Sequence, residues 1–242
     1  MINKNVISAI KPHSRIAQWV LDVRVNIFRR LESLVDLNSI VNALDVGVTS
    51  ERDRPETNVF EMLYPHKNRV TGLSMQDASW IEQEYPGMKF VYGNGCDIQF
   101  PDSSFDLVHS HAVIEHVGTS ENQQKLLSEC VRVARKYVFL TTPNCWHPME
   151  THTALPFLHW LPPSIYRGIL KKTRFEYFSK EENLNLLTKK KIYDLCHKTE
   201  GVSNPQIFDE WFLGFKSNMI LFIDKRASME VCPPQFYTKK AV

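Results

Sequence analysis

Two apolar runs, each ending in polar side chains, constrain the fold of this chain more than any other feature. The first run covers 43–47 and includes Asp45 and Gly47, and the second covers 105–111 and ends in a histidine. Short apolar runs bounded by glycine and polar residues are typical of strands buried in a sheet. Ligands of parallel α/β sheets bind beyond the carboxyl ends of the strands. The two runs therefore predict a cleft built on strand ends, and an enzyme site is the leading hypothesis for that cleft.

Strand-like runs alternate with helical patterns before residue 143. Strands are predicted at 40–46, 69–73, 88–92, 105–110 and 137–142, and helices at 56–64, 76–85 and 120–135. An amphipathic helix is predicted ahead of them at 14–36, because its apolar side chains recur at helical spacing. This alternation is typical of a parallel sheet with helices on both faces.

The C-terminal part departs from that alternation. Strand-like runs at 206–212 and 218–224 suit an antiparallel hairpin. The stretch 143–198 before them is too long for a simple crossover between strands. We interpret it as a cap over the cleft, with a helix at 180–198 that returns the chain to the sheet.

Charge and cysteine content argue against several classes of protein. The 242 residues carry a formal net charge of +2, so no bulk electrostatic attraction to nucleic acid is expected. The five cysteines are scattered and form no CxxC pair, which favours reduced thiols over a disulfide framework or a zinc ribbon. No apolar run approaches the length of a membrane span. We expect a cytoplasmic protein, with contact to a membrane surface left open.

Several motifs resemble those of the class I S-adenosylmethionine-dependent methyltransferases, especially the type-11 branch. The motifs are FPDSSFDLV at 100–108, VIEHV at 113–117, ECVRV at 129–133 and TTPN at 141–144. Their combined spacing, over roughly 40–225, is more specific than any one of them. The resemblance implies an α/β fold with a Rossmann-like seven-stranded, mostly parallel sheet, a C-terminal antiparallel hairpin, a helical cap insertion and S-adenosylmethionine as cofactor.

We expect one methyltransferase domain over the whole chain. It divides into an N-terminal helix (1–38), a cofactor-binding core (40–142), the cap (143–198), the terminal hairpin (199–225) and a tail (226–242). The stretch after Thr142 further resembles methyltransferases from bacterial surface-polysaccharide gene sets.

The resemblance implies cofactor contacts at the ends of the first four strands. The residues are Asp45, Gly47, Thr49, Ser74, Met75, Asn94, Gly95, Ser110 and His111. A glycine such as Gly47 lets backbone amides approach a ligand closely, whereas Thr49 stands where a further glycine is usual. Ser74 stands where the family has a carboxylate for the ribose. The amide oxygen of Asn94 can accept a hydrogen bond from the adenine amino group.

The fourth strand leads to the expected methyl-transfer centre. Imidazole titrates near neutral pH, so His116 or His111 could remove a proton from a hydroxyl nucleophile. Glu115 could orient that imidazole. The alternative, that the Glu115 and His116 pair only supports the local structure, stays open.

A second group of polar residues lies in the predicted cap. His147, Glu150 and His152 fall within six residues but lack the spacing of a zincin or a zinc finger. We expect these side chains to face solvent or substrate, and we expect no metal site.

These observations predict transfer of a methyl group from S-adenosylmethionine to a hydroxyl, less readily a nitrogen, of a small-molecule or glycan acceptor. Polysaccharide biosynthesis is the expected setting. One alternative is a catalytically silent binding module with a methyltransferase-like fold. Another is a nicotinamide-dependent oxidoreductase, which shares the fold class but would need a GxGxxG turn that is missing here. The oligomeric state is not readable from the sequence.

Overall fold

A seven-stranded sheet forms the centre of the computed structural model, which describes residues 14–54 and 56–226. The strands are β1 (Ala43–Val46), β2 (Val70–Ser74), β3 (Lys89–Tyr92), β4 (Phe105–His111), β5 (Ala134–Pro143), β6 (Gln206–Phe212) and β7 (Phe215–Asp224). Their order in the sheet is β3-β2-β1-β4-β5-β7-β6. Strands β1 to β5 pair in parallel, and β7 runs antiparallel to both β5 and β6. The predicted Rossmann-like, mostly parallel sheet with a C-terminal hairpin is confirmed.

Six α-helices occur among the described residues. They are α1 (Arg15–Leu34), α2 (Val59–Leu63), α3 (Ile81–Glu84), α4 (Ser120–Val133), α5 (Pro163–Leu170) and α6 (Lys189–Lys198). Helices α1, α4 and α6 each begin after a hydroxyl residue, Ser14, Thr119 and Thr188, whose side chain accepts a hydrogen bond from a first-turn amide. Such a cap satisfies one of the amides that a helix start leaves without a partner.

The helices cover both faces of the sheet. On β4, Leu107 packs in the core beneath α1 with Leu31, whereas its neighbour Val108 packs on the opposite face against Leu126 of α4. Successive side chains of a strand point to opposite faces, and both faces of this strand are buried. Burying each such side chain contributes about 1.5–3 kcal/mol. The two cores cover both faces of β1 and β4. Because these strands pair in parallel, their carboxyl ends lie next to each other.

Several predicted boundaries differ from the structure. Strand β5 begins at Ala134, directly after α4, so the helix predicted to end at 135 is shorter and the strand longer than expected. Helix α3 covers only the last part of the predicted 76–85, and the residue before it, Trp80, makes no side-chain cap. Without a capping side chain the first amides lose their stabilising partner, which is consistent with the shortened helix.

The cap is less helical than predicted. The helix expected at 180–198 begins only at Lys189, because Leu187 instead forms an isolated parallel bridge with Asn144 beyond the end of β5. Helix α5 and two 3-10 turns, Leu158–Trp160 and Glu176–Ser179, are the other helical pieces of the cap. The cap has a small core of its own, made of Tyr166, Leu170, Phe175, Phe178 and Leu184. It is therefore a packed unit joined to the carboxyl edge of the sheet.

The terminal hairpin turns more tightly than predicted. Strand β7 begins at Phe215, so only Leu213 and Gly214 connect it to β6. Their φ angles are 49° and 80°. Two positive φ angles in a two-residue connection are the signature of a type I′ turn, whose twist matches that of the strands.

Some predictions fall on parts of the chain outside the described residues. These parts are 1–13 of the N-terminal segment and 227–242 of the tail, which includes Cys232. The four described cysteines are free thiols. Among the described residues, no helix is both long enough and apolar enough to cross a membrane.

Candidate active site

The turn after β1 touches the segment after β4, as the two apolar runs predict. Gly47 has a φ of 101°, and a Cβ added there would lie 2.2 Å from Cγ2 of Val113. Only glycine combines that backbone conformation with that close approach. The Asn58 side chain holds both the amide and the carbonyl of Thr49, each at 3.1 Å. The turn is therefore fixed in position although it contains a single glycine.

Asp45 is buried at the end of β1 and faces His109 and Glu61. The ring Nδ1 of His109 donates to its carboxylate. Burial raises the pKa of Asp45 to about 6 and lowers that of His109 to about 4. Burial and the nearby Asp45 charge raise the pKa of Glu61 well above its usual range. These shifts favour a neutral His109 and a protonated Glu61 around one carboxylate, and neither partner is among the predicted site residues.

The predicted cofactor residues of β2 and β3 lie at the carboxyl edge of the sheet. The Ser74 hydroxyl oxygen accepts a hydrogen bond from the backbone amide two residues later, at 3.1 Å, and Met75 is largely exposed. The Asn94 side-chain oxygen also accepts from the amide two residues later, at 2.9 Å. A Cβ on Gly95 would lie 2.8 Å from two core side chains. Gly95 thus permits close packing under this edge.

Ser110 and His111 end β4 beside the Gly47 turn. The Ser110 hydroxyl donates to the Val46 carbonyl at 2.9 Å, which ties the end of β4 to β1. The Nδ1 of His111 lies 2.7 Å from Oγ1 of Thr141 on β5. Burial lowers the pKa of His111 well below its usual value, so its imidazole is neutral near pH 7. Ser110 therefore fixes β4 against β1, and His111 places a neutral imidazole at the carboxyl edge of the sheet.

Glu115 lies in a short 3-10 turn, Ile114–His116, just beyond β4. Its side chain is fully buried, and its Oε2 accepts a hydrogen bond from the Thr142 hydroxyl at 2.9 Å. Its Oε1 is buried and has no hydrogen-bond partner among the described residues. Burial raises the pKa of this carboxyl. A buried acceptor atom without a hydrogen-bond partner destabilises the protein unless a ligand or ion binds it.

His116 continues into a chain of hydrogen bonds with the cap. Its Nδ1 donates to the Asn183 carbonyl at 2.8 Å, and its Nε2 lies 2.9 Å from Nε2 of His152. The Nδ1 of His152 lies 2.5 Å from a carboxylate oxygen of Glu150. Burial lowers the pKa of His116 to about 4, whereas Glu150 raises the pKa of His152 against the effect of burial. The shared hydrogen between the two rings therefore belongs to His152.

The cap residues of the predicted polar group do not act together. Glu150 is only 4% exposed, and its two oxygens also accept hydrogen bonds from the backbone amides of His152 and Thr153 and from the Thr153 hydroxyl. It does not face solvent, because these donors hold it inside. The Nδ1 of His147 instead bonds the carbonyl of Met149. The cluster that forms is Glu115, His116 and His152, which spans two distant parts of the sequence.

Arg24 is a site residue that sequence reasoning missed. It lies on α1, and its guanidinium donates to the Glu56 carbonyl next to the β1 turn. Its positive charge acts on the pKa values of Glu115, His111 and His152. The sequence contained a signal for this residue, since Arg24 falls on the apolar stripe of the predicted helix, and a charged side chain is unusual on a buried face.

Comparison with known proteins gives a family for the central segment. Residues 55–140 match the family model described as a methyltransferase domain. This segment, which makes up less than half of the chain, is similar to methyltransferase domains. A protein of Mycolicibacterium smegmatis, described as a probable S-adenosylmethionine-dependent methyltransferase, is 39% identical over 80 residues. That match covers 31% of this chain and 30% of the relative, so it spans less than a third of either protein.

Solved structures show the same fold over most of the chain. The PH0226 protein of Pyrococcus horikoshii is 14% identical, with a TM-score of 0.55, and the match covers 90% of this chain and 94% of that one. The N-methyltransferase NodS of Bradyrhizobium japonicum, in complex with S-adenosyl-L-homocysteine, is 10% identical with a TM-score of 0.53. That match covers 83% of this chain and 86% of NodS. At such identities the likeness establishes the methyltransferase fold alone.

Proposed function

We propose that this chain transfers a methyl group from S-adenosylmethionine to a hydroxyl, less readily a nitrogen, of a small-molecule or glycan acceptor. The methyltransferase-domain match over 55–140 supports the reaction class. The observation that carries the choice of a hydroxyl is the cluster of Glu115, His116 and His152 beyond β4, where a proton-accepting group is needed. The sulfonium of the cofactor supplies an already activated methyl group. The protein must mainly align the reactants, exclude water and help remove one proton.

The residues present at the carboxyl edge fit that cofactor. Gly47 is exposed and has no side chain, which suits close contact with the methionine part, but the amides of Gly47, Val48 and Thr49 are already bonded to Leu73 and Asn58. Ser74 and Met75 end the next strand, where the ribose is expected, and Asn94 and Gly95 follow at the adenine position. We propose Arg24 as the cation for the cofactor carboxylate, since a guanidinium binds carboxylates well.

Asp45 acts on the cofactor only indirectly in this proposal. Its carboxylate already takes hydrogen bonds from inside the protein, so it orients the β1 turn through His109 and Glu61. The hydrogen bonds of Thr49 and Ser110 fix the backbone at the end of β1 as well.

Activation of the acceptor is assigned to the cluster beyond β4. The Nδ1 of His116 donates to the Asn183 carbonyl and its Nε2 accepts the hydrogen of His152, so a proton taken up by Nε2 would displace that hydrogen bond. The low pKa of this ring, about 4, keeps it unprotonated near neutral pH but makes it a weak base alone. Glu115 contributes a second acceptor atom, and His111 stands nearby on β4.

The acceptor surface is assigned to exposed aromatic rings of the cap. Trp146, Phe157 and Trp160 are each more than 40% exposed, and the Trp160 ring lies 6.5 Å from Trp146 and 5.0 Å from Phe157. Flat, half-apolar rings suit a ligand with one apolar and one polar side, such as a sugar ring. Loss of glycan binding in Trp160→Ala would support this. Co-flotation of the wild type with liposomes would instead favour a membrane contact there.

Calorimetry and a turnover assay test the proposed function together. Saturable binding of S-adenosylmethionine and acceptor-dependent release of S-adenosylhomocysteine are expected. Binding without turnover over a panel of hydroxylated acceptors would favour the silent binding module. Absence of saturable binding by the folded protein would remove the methyltransferase proposal.

A further inference from the structure

Three side chains from two distant segments place ligand atoms around one point beyond β4. They are Glu115, His116 and His152, and one donor atom from each lies within 4.8 Å of the others. We propose that this cluster binds one divalent transition-metal cation. This proposal rests on the proposed function for its chemical role, but not for the existence of the site.

The two imidazoles are already oriented as metal ligands. The Nδ1 of His116 donates to the Asn183 carbonyl at 2.8 Å, and the Nδ1 of His152 faces the Glu150 carboxylate at 2.5 Å. Metal-binding histidines commonly donate their other ring nitrogen to a carbonyl or carboxylate in this way. The two Nε2 atoms lie 2.9 Å apart and share one hydrogen, which the ion would replace. Two nitrogens bound at about 2.0–2.1 Å to one ion would lie roughly 3.0–3.4 Å apart, so little movement is required.

The carboxylate supplies an independent reason for a cation. Glu115 is fully buried, and its Oε1 has no hydrogen-bond partner among the described residues. Its other oxygen is held by the Thr142 hydroxyl, which fixes the direction of the carboxylate. A buried carboxylate oxygen without a donor is unfavourable. A cation shared with the two histidines would satisfy that oxygen.

The chemistry of the ligands selects the kind of ion. Imidazole suits Zn²⁺, Fe²⁺ and related ions, whereas Mg²⁺ and Ca²⁺ prefer sites built from oxygen. Three protein ligands leave at least one coordination position for a substrate atom. The expectation of no metal site considered only His147, Glu150 and His152. In the structure the Glu150 carboxylate instead bonds Nδ1 of His152 and so orients that ring.

The ion would deepen the proposed reaction by activating the acceptor. It would bind the acceptor oxygen and lower the pKa of its hydroxyl, so the proton leaves to solvent. The oxygen then forms a bond to the methyl carbon as the carbon–sulfur bond breaks. The bonding electron pair stays on sulfur, and the positive charge of the sulfonium is neutralised. No oxidant or reductant is needed.

Metal titration of the full chain tests this site without any activity assay. Protein stripped with a chelator is titrated with Co²⁺, followed by its visible absorption bands, and with Zn²⁺ by calorimetry. We expect one ion per chain, with affinity lowered at least about tenfold in His116→Ala and His152→Ala. Glu150→Gln should weaken binding by about 10–100-fold, as supporting residues of metal sites do. His197→Ala, which removes an exposed histidine from α6, is the matched control and should bind as the wild type does.

Two results would overturn the metal site. One is the absence of saturable Co²⁺ and Zn²⁺ binding by wild-type protein whose circular dichroism shows it folded. The other is unchanged affinity in the folded His116→Ala and His152→Ala variants. Binding of S-adenosylmethionine by the same chelator-treated protein is measured separately, so loss of the metal proposal and loss of the proposed function give different outcomes.

Discussion

At the scale of single residues, burial decides the protonation of the groups around β1 and β4. Glu61 is 1% exposed, and Asp45 and His109 are each 5% exposed. Glu61 and Asp45 have raised pKa values and His109 a lowered one. Which partner holds a proton cannot be read from residue types, because it follows from desolvation in the folded chain.

Glu61 should make stability depend on pH in a predictable direction. Its folded pKa lies above its unfolded value, so the native state binds more protons and stability falls as pH rises towards the folded pKa. As the pH rises above the ordinary glutamate pKa of about 4.3, we expect Glu61 to lower the free energy of unfolding by up to about 1.4 kcal/mol per pH unit until its folded pKa is passed. His109 acts in the opposite direction below about pH 6.5, since its pKa is lowered to about 4, and His152, whose pKa is raised, adds to the decline above that pH.

Urea denaturation across that pH window checks this expectation. In Glu61→Gln the downward slope should be smaller than in the wild type, because the amide does not titrate. Glu200→Gln, at an exposed position, controls for the substitution itself. An equal slope in wild type and Glu61→Gln would show that another group is responsible.

His116→Ala should slow turnover far more than it weakens cofactor binding. Loss of a proton-accepting or ion-binding group commonly costs about 10²–10⁴-fold in rate, whereas the proposed cofactor contacts lie elsewhere. Single-turnover methyl transfer and calorimetry with S-adenosylmethionine give the two numbers. Full activity in the variant would remove His116 from the reaction.

At the scale of secondary-structure elements, α1 brings a charge to the site from outside the central segment. Arg24→Met keeps the length of the side chain on α1 but removes its charge and donors. We expect about a 10- to 100-fold loss in S-adenosylmethionine affinity, since a hydrogen bond to a charged group contributes about 1.5–3 kcal/mol. Arg29→Met, on the exposed side of the same helix, is the control. Calorimetry that shows equal affinity for both variants would exclude Arg24 as the carboxylate partner.

The β6–β7 hairpin stores strain at Leu213. This leucine has a φ of 49° and is 71% exposed, so nothing in the core compensates for its left-handed conformation. Leu213→Asn would create the Asn-Gly pair that type I′ turns favour. We expect a gain of about 0.5–1 kcal/mol in the free energy of unfolding, because the left-handed penalty is about 1–2 kcal/mol for ordinary residues.

Thermal and urea unfolding measure that gain. Leu161→Asn, at an exposed leucine that lies outside the turn, shows what the loss of surface leucine alone does. A destabilised Leu213→Asn variant would mean that the leucine side chain makes contacts that outweigh its strain.

At the scale of the whole molecule, cofactor binding should stabilise the fold and distinguish it from a nicotinamide enzyme. A ligand at 100 times its Kd adds about 2.7 kcal/mol to the free energy of unfolding. We expect S-adenosylmethionine and S-adenosylhomocysteine to raise the melting temperature, and NAD to leave it unchanged. A shift with NAD alone would favour the oxidoreductase. Differential scanning fluorimetry makes the comparison.

The sequence by itself determined the architecture of this protein. The strand predicted at 105–110 is found at Phe105–His111, because apolar residues such as Leu107 and Val108 stand on both of its faces. The C-terminal hairpin was predicted from two strand-like runs, 206–212 and 218–224, that follow each other closely. Local patterns failed where helices were short, because little besides tertiary packing stabilises a helix such as α3.

Only the tertiary structure decided how the site is built. The pairing of His116 with His152 joins residues 36 positions apart, and Arg24 arrives from a helix that precedes the core. Such contacts depend on how the cap and α1 pack over the carboxyl edge of the sheet, and no local periodicity encodes that packing. The protonation of the buried site groups is also decided by the tertiary structure, because these groups lose their contact with water only when the chain has folded.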